Sequence, residues 1–336
     1  MKRFSKTIIF FFAIFFVLLL VSYLWWKSSS SAVSNVGEEK KFLIKKGQSA
    51  ESIGTELYRQ GFIKSPLAFK IYVQLKGLSD KIPSGEYLLS SSYTLSEVIS
   101  ILLKGPTEVW ISIPEGLRRE EIVQRLVEAL EISDVEADDF RDEFLRLTLD
   151  KEGYLFPDTY LMPKNVSPQK IVDIMLDNFE KRVDQQMRAD IAKQGKTLSQ
   201  VIVLASIIER ETKTEQERPI IAGLLLARLK EGFLLQTDAA LQYGLANLQC
   251  KNVGVCTNWW PKITKNDYTN LDSPYNVYKY QGLPPTPICN PGLSSIKAVI
   301  YPQQTEYRYY IHDLNGKVYF AKTLKEHNEN IKLYLK

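Results

Sequence analysis

Residues 198–213 read Leu-Ser-Gln-Val-Ile-Val-Leu-Ala-Ser-Ile-Ile-Glu-Arg-Glu-Thr-Lys and carry two glutamates at the end of an apolar helical stretch. At about 100° per residue, Ser199, Ser206, Arg210 and Lys213 fall on one narrow polar stripe. Glu209 lies about 60° from the centre of that stripe, which suits a partly solvated surface residue. Glu211 lies about 140° away, beside Leu204, Ile207 and Ile208, so it is expected on the buried face near the helix C-terminus. Desolvation and the negative end of the helix dipole both disfavour a carboxylate there. A carboxyl that keeps its proton near neutral pH is suited to general-acid work. The alternative is a Glu211 paired with a lysine or arginine from another element.

Other chemistries lack support. The chain has two histidines, His312 and His327, too far apart in sequence to suggest a zinc site. No GxGxxG, Walker A, HExxH or GxSxG pattern occurs. No metal and no cofactor is therefore expected, and catalysis would rest on carboxylates. Of the three cysteines, Cys250 and Cys256 could close a small disulfide loop, or all three, with Cys289, could be free thiols. The net charge of +4 is spread along the chain without a dense Lys/Arg block, which argues against nucleic acid. It is compatible with an anionic polymer or a membrane surface.

These side chains need a scaffold, and the fold class expected is α+β. Residues 8–26 are an uncharged apolar run of about 28 Å as a helix, close to a hydrocarbon core of about 30 Å. Trp25 and Trp26 end it, and Lys2, Arg3 and Lys6 precede it, which predicts a single-pass helix with the N-terminus inside. A cleaved signal peptide is the alternative. The domains expected are 1–27, cytoplasmic N-terminus and transmembrane helix; 28–40, a Ser-rich then charged linker; 41–105, a small α/β module; and 106–336, a mixed α+β domain with a connecting helical region.

Within the module, a strand at 42–44, a helix capped by Ser49, a helix after Pro66, a strand at 85–89 and a helix capped by Thr94 follow in order. Beyond it, 109–113 reads as a strand and 119–150 as an acidic, solvated helical connector. Residues 154–160 are an aromatic-rich extended segment and 167–187 a long helix. A helix from Pro219 ends at Gly232. Leu235-Gln236-Thr237-Asp238 then leads into a short helix at 239–243 that Asp238 could cap. Trp259-Trp260 could present faces to sugar rings or pack in the core. Pro/Gly-fixed loops at 273–276, 282–287 and 290–292 suit rigid binding groups. A hairpin at 307–321 turns at Asn315-Gly316, and a last helix holds His327 and Asn328.

The chain resembles the endolytic murein transglycosylases, the MltG or YceG-like family. The resemblance is carried by Glu115-Gly116, the 152–160 stretch Glu-Gly-Tyr-Leu-Phe-Pro-Asp-Thr-Tyr and the 205–212 stretch Ala-Ser-Ile-Ile-Glu-Arg-Glu-Thr. Leu235-Gln236-Thr237-Asp238, Ser273-Pro274-Tyr275-Asn276-Val277-Tyr278, Gly282-Leu283-Pro284-Pro285 and His327-Asn328 follow in family order. It implies a LysM-like identity for the 41–105 module and a lytic-transglycosylase-like catalytic domain. It implies cleavage of the MurNAc-β-1,4-GlcNAc bond of nascent peptidoglycan strands, with 1,6-anhydroMurNAc ends, in a periplasmic domain tethered to the inner membrane. It implies partners among penicillin-binding proteins and other elongation or division synthases, with the enzyme ending strand growth. The Glu-x-Glu-Thr motif selects Glu211 as catalytic, with Glu209 as the fallback. Gln236, Thr237, Asp238, Tyr275 and Asn276 are the candidate sugar contacts. The chain departs from the family pattern in a longer, cysteine-bearing segment around 247–260.

Two other functions fit the same residues. A non-catalytic wall-binding scaffold would hold glycan and recruit synthases, and would have no need of a buried acid. An ordinary hydrolase would leave reducing ends and, as a rule, employs two carboxylates.

Overall fold

The computed structural model describes residues 2–45, 47–250, 256 and 258–335, without the side chains of 2–11 and 13. The chain divides into two compact units, residues 1–111 with 160–165 and residues 112–159 with 166–336.

In the first unit, helix α1 (Lys2–Ser30) exposes Phe12, Phe15, Phe16 and most apolar side chains as far as Trp25. Trp26 instead stacks on Tyr72, centroid to centroid 6.4 Å. Among the described residues no helix is long and apolar enough to cross a membrane, so the expected single-pass span is not borne out there. The side chains at the start of the apolar run, and those of Lys2, Arg3 and Lys6, are not described.

Strand β1 (Glu39–Ile44), helices α2 (Ala50–Arg59) and α3 (Pro66–Leu75), strand β2 (Gly85–Ser90) and helix α4 (Leu95–Lys104) follow the expected order. Lys46 lies outside the described residues. Caps fix the helix starts: Ser49 accepts from Ser52 N, Ser65 from Ala68 N, and Thr94 forms a capping box with Glu97. Strands β1 and β2 pair antiparallel from Glu39↔Ser90 to Ile44↔Gly85. Phe42, Ile44, Tyr87 and Leu89, alternate residues of the two strands, share a core with Leu57, Phe69, Val98 and Leu102. The sheet does not stop at residue 105. It continues through β3 (Glu108–Ser112) to β4 (Thr159–Pro163) in the order β1-β2-β3-β4.

The second unit is mainly helical: α5 (Arg119–Leu130), α6 (Asp134–Leu147), α7 (Pro168–Arg182), α8 (Gln185–Lys193), α9 (Leu198–Glu211), α10 (Arg218–Glu231), α11 (Asp238–Gln249), α12 (Lys265–Asn270) and α13 (Leu293–Ile300). A hairpin of β5 (Tyr309–His312) and β6 (Val318–Ala321) and helix α14 (Leu324–Tyr334) complete it. The acidic connector is two helices that bury Ile122, Leu126 and Phe144. The long 167–187 helix is broken at Val183, where Asp184 caps α8 by accepting from Met187 N. Helix α11 runs well past residue 243, and α12 and α13 have no counterpart in the sequence expectations.

Helix α9 is the centre of this unit, in contact with α8, α10, α11 and α13. Every residue from Val201 through Ile208 is buried, so the polar stripe inferred at Ser206 does not exist. The Ser206 hydroxyl donates to Val203 O (2.7 Å) and accepts from Ile288 N (3.0 Å), pinning the 286–290 loop. A helix buried all round has no solvated face for polar residues to mark. Cys250 and Cys256 are disulfide-bonded, and Cys289 is a buried free thiol. Residues 251–255 and 257 of the unusual 247–260 segment lie outside the described residues.

Candidate active site

Glu211 is the last residue of α9 and is half-buried. Its Oε2 accepts from the Tyr310 hydroxyl at 2.8 Å, and its Oε1 accepts from Ala239 N at 3.3 Å. Ala239 is the second residue of α11, so the free amides of that helix start face the carboxyl. Burial is the strongest influence on Glu211 and raises its pKa. The Tyr310 and Ala239 hydrogen bonds act the other way, the charge of Asp238 adds to the rise, and the net shift is upward. The alternative, a salt bridge to a lysine or arginine, is not found among the described residues, and the Tyr310 hydroxyl and Ala239 amide that hold it are neutral.

The loop into α11 brings the next residues to the same place. Gln236 has φ +52° and is exposed, with its N–H donating to Val277 O at 3.1 Å. Thr237 is fully buried, and its Oγ1 has no hydrogen-bond partner among the described residues. It occupies the N-cap position of α11 without making the cap bond. Asp238 is therefore the first helical residue and not the cap. Its Oδ1 accepts from Tyr278 OH (2.6 Å) and Tyr268 OH (3.3 Å). Arg228 is buried on α10 and ties this loop to the hairpin. Its Nη1 donates to Leu235 O at 2.6 Å and its Nε to Arg308 O at 2.7 Å.

Tyr275 and Asn276 play different parts. The Tyr275 hydroxyl is 2.6 Å from Thr286 Oγ1, and its ring lies 4.7 Å from that of Tyr243. Asn276, expected as a sugar contact, is fully buried. Its amide donates to Leu271 O (3.0 Å) and Tyr268 O (3.3 Å) and accepts from Tyr278 N (3.1 Å), fixing the loop that carries Tyr278. A groove of about 490 Å³ runs along Asp272, Ser273, Pro274, Tyr280, Leu283 and Pro285. Glu211 is not among its lining residues; Tyr278, from the same loop, reaches the Glu211 cluster through Asp238.

Glu209, expected to be partly solvated, is half-buried, with its side chain only 7% exposed. Its Oε1 is 3.0 Å from Arg218 Nη2 and its Oε2 accepts from Gly292 N at 2.9 Å. Glu115 approaches the same guanidinium at 3.7 Å, and burial, then the charge of Glu209, raises its pKa. A Cβ at Gly292 would meet Glu115 Oε1 at 1.8 Å, so the Glu115 carboxyl would have to swing away. Glu152 forms a further buried knot. It accepts from Asn290 Nδ2 (2.8 Å) and Arg119 N (3.2 Å), and burial and then Glu120 push it up to about 8. Asn290 Oδ1 in turn accepts from the amides of Gly153 and Leu155. Trp259 and Trp260 are half-buried under guanidinium groups, Arg118 at 4.7 Å and Arg210 at 3.8 Å.

Sequence reasoning missed Tyr310, Arg228 and Arg218. The alternation within the hairpin could have flagged the face of β5 that carries Tyr310, but nothing in it marks a hydroxyl aimed at α9.

The YceG-like family model matches residues 42–333. The endolytic murein transglycosylase of Bacillus subtilis is 30% identical over 315 residues, covering 87% of this chain and 84% of that protein. The enzyme of the same name from Streptococcus pneumoniae is 28% identical over 325 residues, 86% of this chain, and this chain spans 57% of its length. A crystal structure of a YceG-like protein from Listeria monocytogenes superposes with a TM-score of 0.58 at 29% identity, covering 87% of this chain and 98% of that one. The chain belongs to the YceG-like family.

Proposed function

We propose that the protein is an endolytic peptidoglycan lytic transglycosylase and that Glu211 is its acid and base. The observation that carries this is a half-buried carboxyl with a raised pKa, held by a hydroxyl and a backbone amide and, among the described residues, ion-paired with no cation. Protonated Glu211 donates to the glycosidic oxygen as the bond from MurNAc C1 to that oxygen breaks. The carboxylate left behind takes the proton of the muramyl C6 hydroxyl as O6 bonds to C1. The two proton transfers cancel, no water is consumed, and one 1,6-anhydro end forms per cut. The same side chain serves both steps, so a second catalytic carboxylate is not needed, unlike in ordinary glycosidases. Glu209 suits this role poorly because its two oxygens are engaged by Arg218 and Gly292. Exposed Gln236 and Asp238, buried but unpartnered Thr237 and the half-buried Tyr275 are the candidate sugar contacts.

The names of the bacilli and streptococcal relatives support the substrate. Termination of strand growth beside wall synthases belongs to the same proposal. So does an inner-membrane tether, supported by the apolar run 8–26 and by the exposed apolar side chains of α1. Mass spectrometry of digested peptidoglycan tests the chemistry. Anhydro-ended fragments are expected, and products heavier by one water would replace the lyase with a hydrolase.

A further inference from the structure

Glu211 must present one oxygen to substrate in two protonation states, which requires that something else hold the other oxygen. Tyr310 is placed to do so. It lies on β5, ninety-nine residues further along the chain, and its hydroxyl donates to Oε2 at 2.8 Å. That oxygen is then kept as an acceptor, and the transferable proton rides on Oε1. The weak bond from Ala239 N to Oε1, 3.3 Å, leaves that oxygen a second lone pair. The position of Tyr310 is itself set. Arg228 is buried and bridges Leu235 O, before α11, and Arg308 O, before β5, so one guanidinium fixes both strands of chain that touch Glu211. Tyr310 also meets His312 edge-on at 5.9 Å.

We infer that Tyr310 is a positioning residue for the lytic reaction, orienting the Glu211 carboxyl through Oε2. The inference rests on the proposed role of Glu211. The charged and titratable groups facing Glu211 are Tyr310 on β5, Asp238 on α11, Arg228 on α10, Tyr278 in the 273–280 loop and Tyr268 on α12. Of these, Tyr310 makes the side-chain hydrogen bond to Glu211, and that bond favours the anion. Its loss lets the acid form persist to higher pH.

The test is Tyr310→Phe in the full chain, assayed on purified peptidoglycan across pH. A fall in kcat of about 10- to 100-fold is expected, with KM little changed. The alkaline limb of kcat should move to higher pH. An NMR titration of a ¹³C-labelled Glu211 carboxyl should show its midpoint moving the same way, independently of turnover. An unchanged titration midpoint with a wild-type pH profile overturns the inference, whatever happens to the rate, because a merely structural role would reduce the rate without moving either. If Tyr310→Phe does not fold, Arg228→Lys, which keeps a cation in the same cavity, serves as the second variant. It should loosen Tyr310 and shift the same midpoint, and no shift overturns the inference. Wild-type activity in Glu211→Gln would instead defeat the underlying assignment, leaving the two failures distinguishable.

Discussion

The two sides of the last turn of α9 hold glutamates two residues apart in opposite ways. Glu209 is clamped by Arg218 and the Gly292 amide, in a neighbourhood that also contains Glu115. Glu211 meets a tyrosine hydroxyl and the start of α11, with no cation in hydrogen-bond contact among the described residues. A carboxylate in an ion pair braces a fold, and removing it leaves a buried charge behind. A carboxyl desolvated among neutral donors can exchange a proton. The difference lies in which neighbours each meets, not in the helix that carries them both.

The largest expected effect is on Glu211. Replacing it by Gln should lower activity by about 10²- to 10⁴-fold, the contribution of a positioned general acid or base, with little loss of melting temperature. Glu209→Ala should do the reverse. It leaves Arg218 with only the more distant Glu115, and denaturant titration should show a loss of about 2 to 3 kcal/mol, with products unchanged in kind. If instead the second variant is the stable, inactive one, the roles are exchanged.

Glu152 supplies a pH contrast. Its folded pKa of about 8 lies above the unfolded value, so the folded state holds the proton longer than the unfolded chain does. Its contribution to stability is complete below the ordinary carboxylate range and is lost as the pH rises toward about 8. Thermal melts should decline between pH 5 and 8, and Glu152→Gln should flatten that slope. A slope the same in both proteins assigns the decline elsewhere. Smallest is Tyr275→Phe, which loses the bond to Thr286 and should cost about 1 kcal/mol in chemical denaturation. A much larger loss of sugar binding than of stability would move Tyr275 from the scaffold to the glycan.

Local signals were readable in the chain. Ser49 and Thr94 start helices where side-chain caps say they should, a helix begins at Pro66, and Asn315-Gly316 turns the hairpin. The failures are tertiary. A helical wheel assumes one wet face, and α9 has none between Val201 and Ile208, so the wheel misplaces Ser206 on a polar stripe, and Glu211 is found partly by motif. Asn276 looks like a polar loop residue until its amide is seen closing its own loop. Tyr310 is one of many tyrosines, and its partner is ninety-nine positions away. Long-range pairing of that kind leaves no periodic trace.

The central claim is that Glu211, and not Glu209, moves the proton. The most direct measurement is the yield of anhydro-ended fragments from purified peptidoglycan treated with wild type, Glu211→Gln and Glu209→Gln under conditions where each is folded. Wild type and Glu209→Gln should release them and Glu211→Gln should release essentially none. Release by Glu211→Gln at the wild-type level would contradict the account.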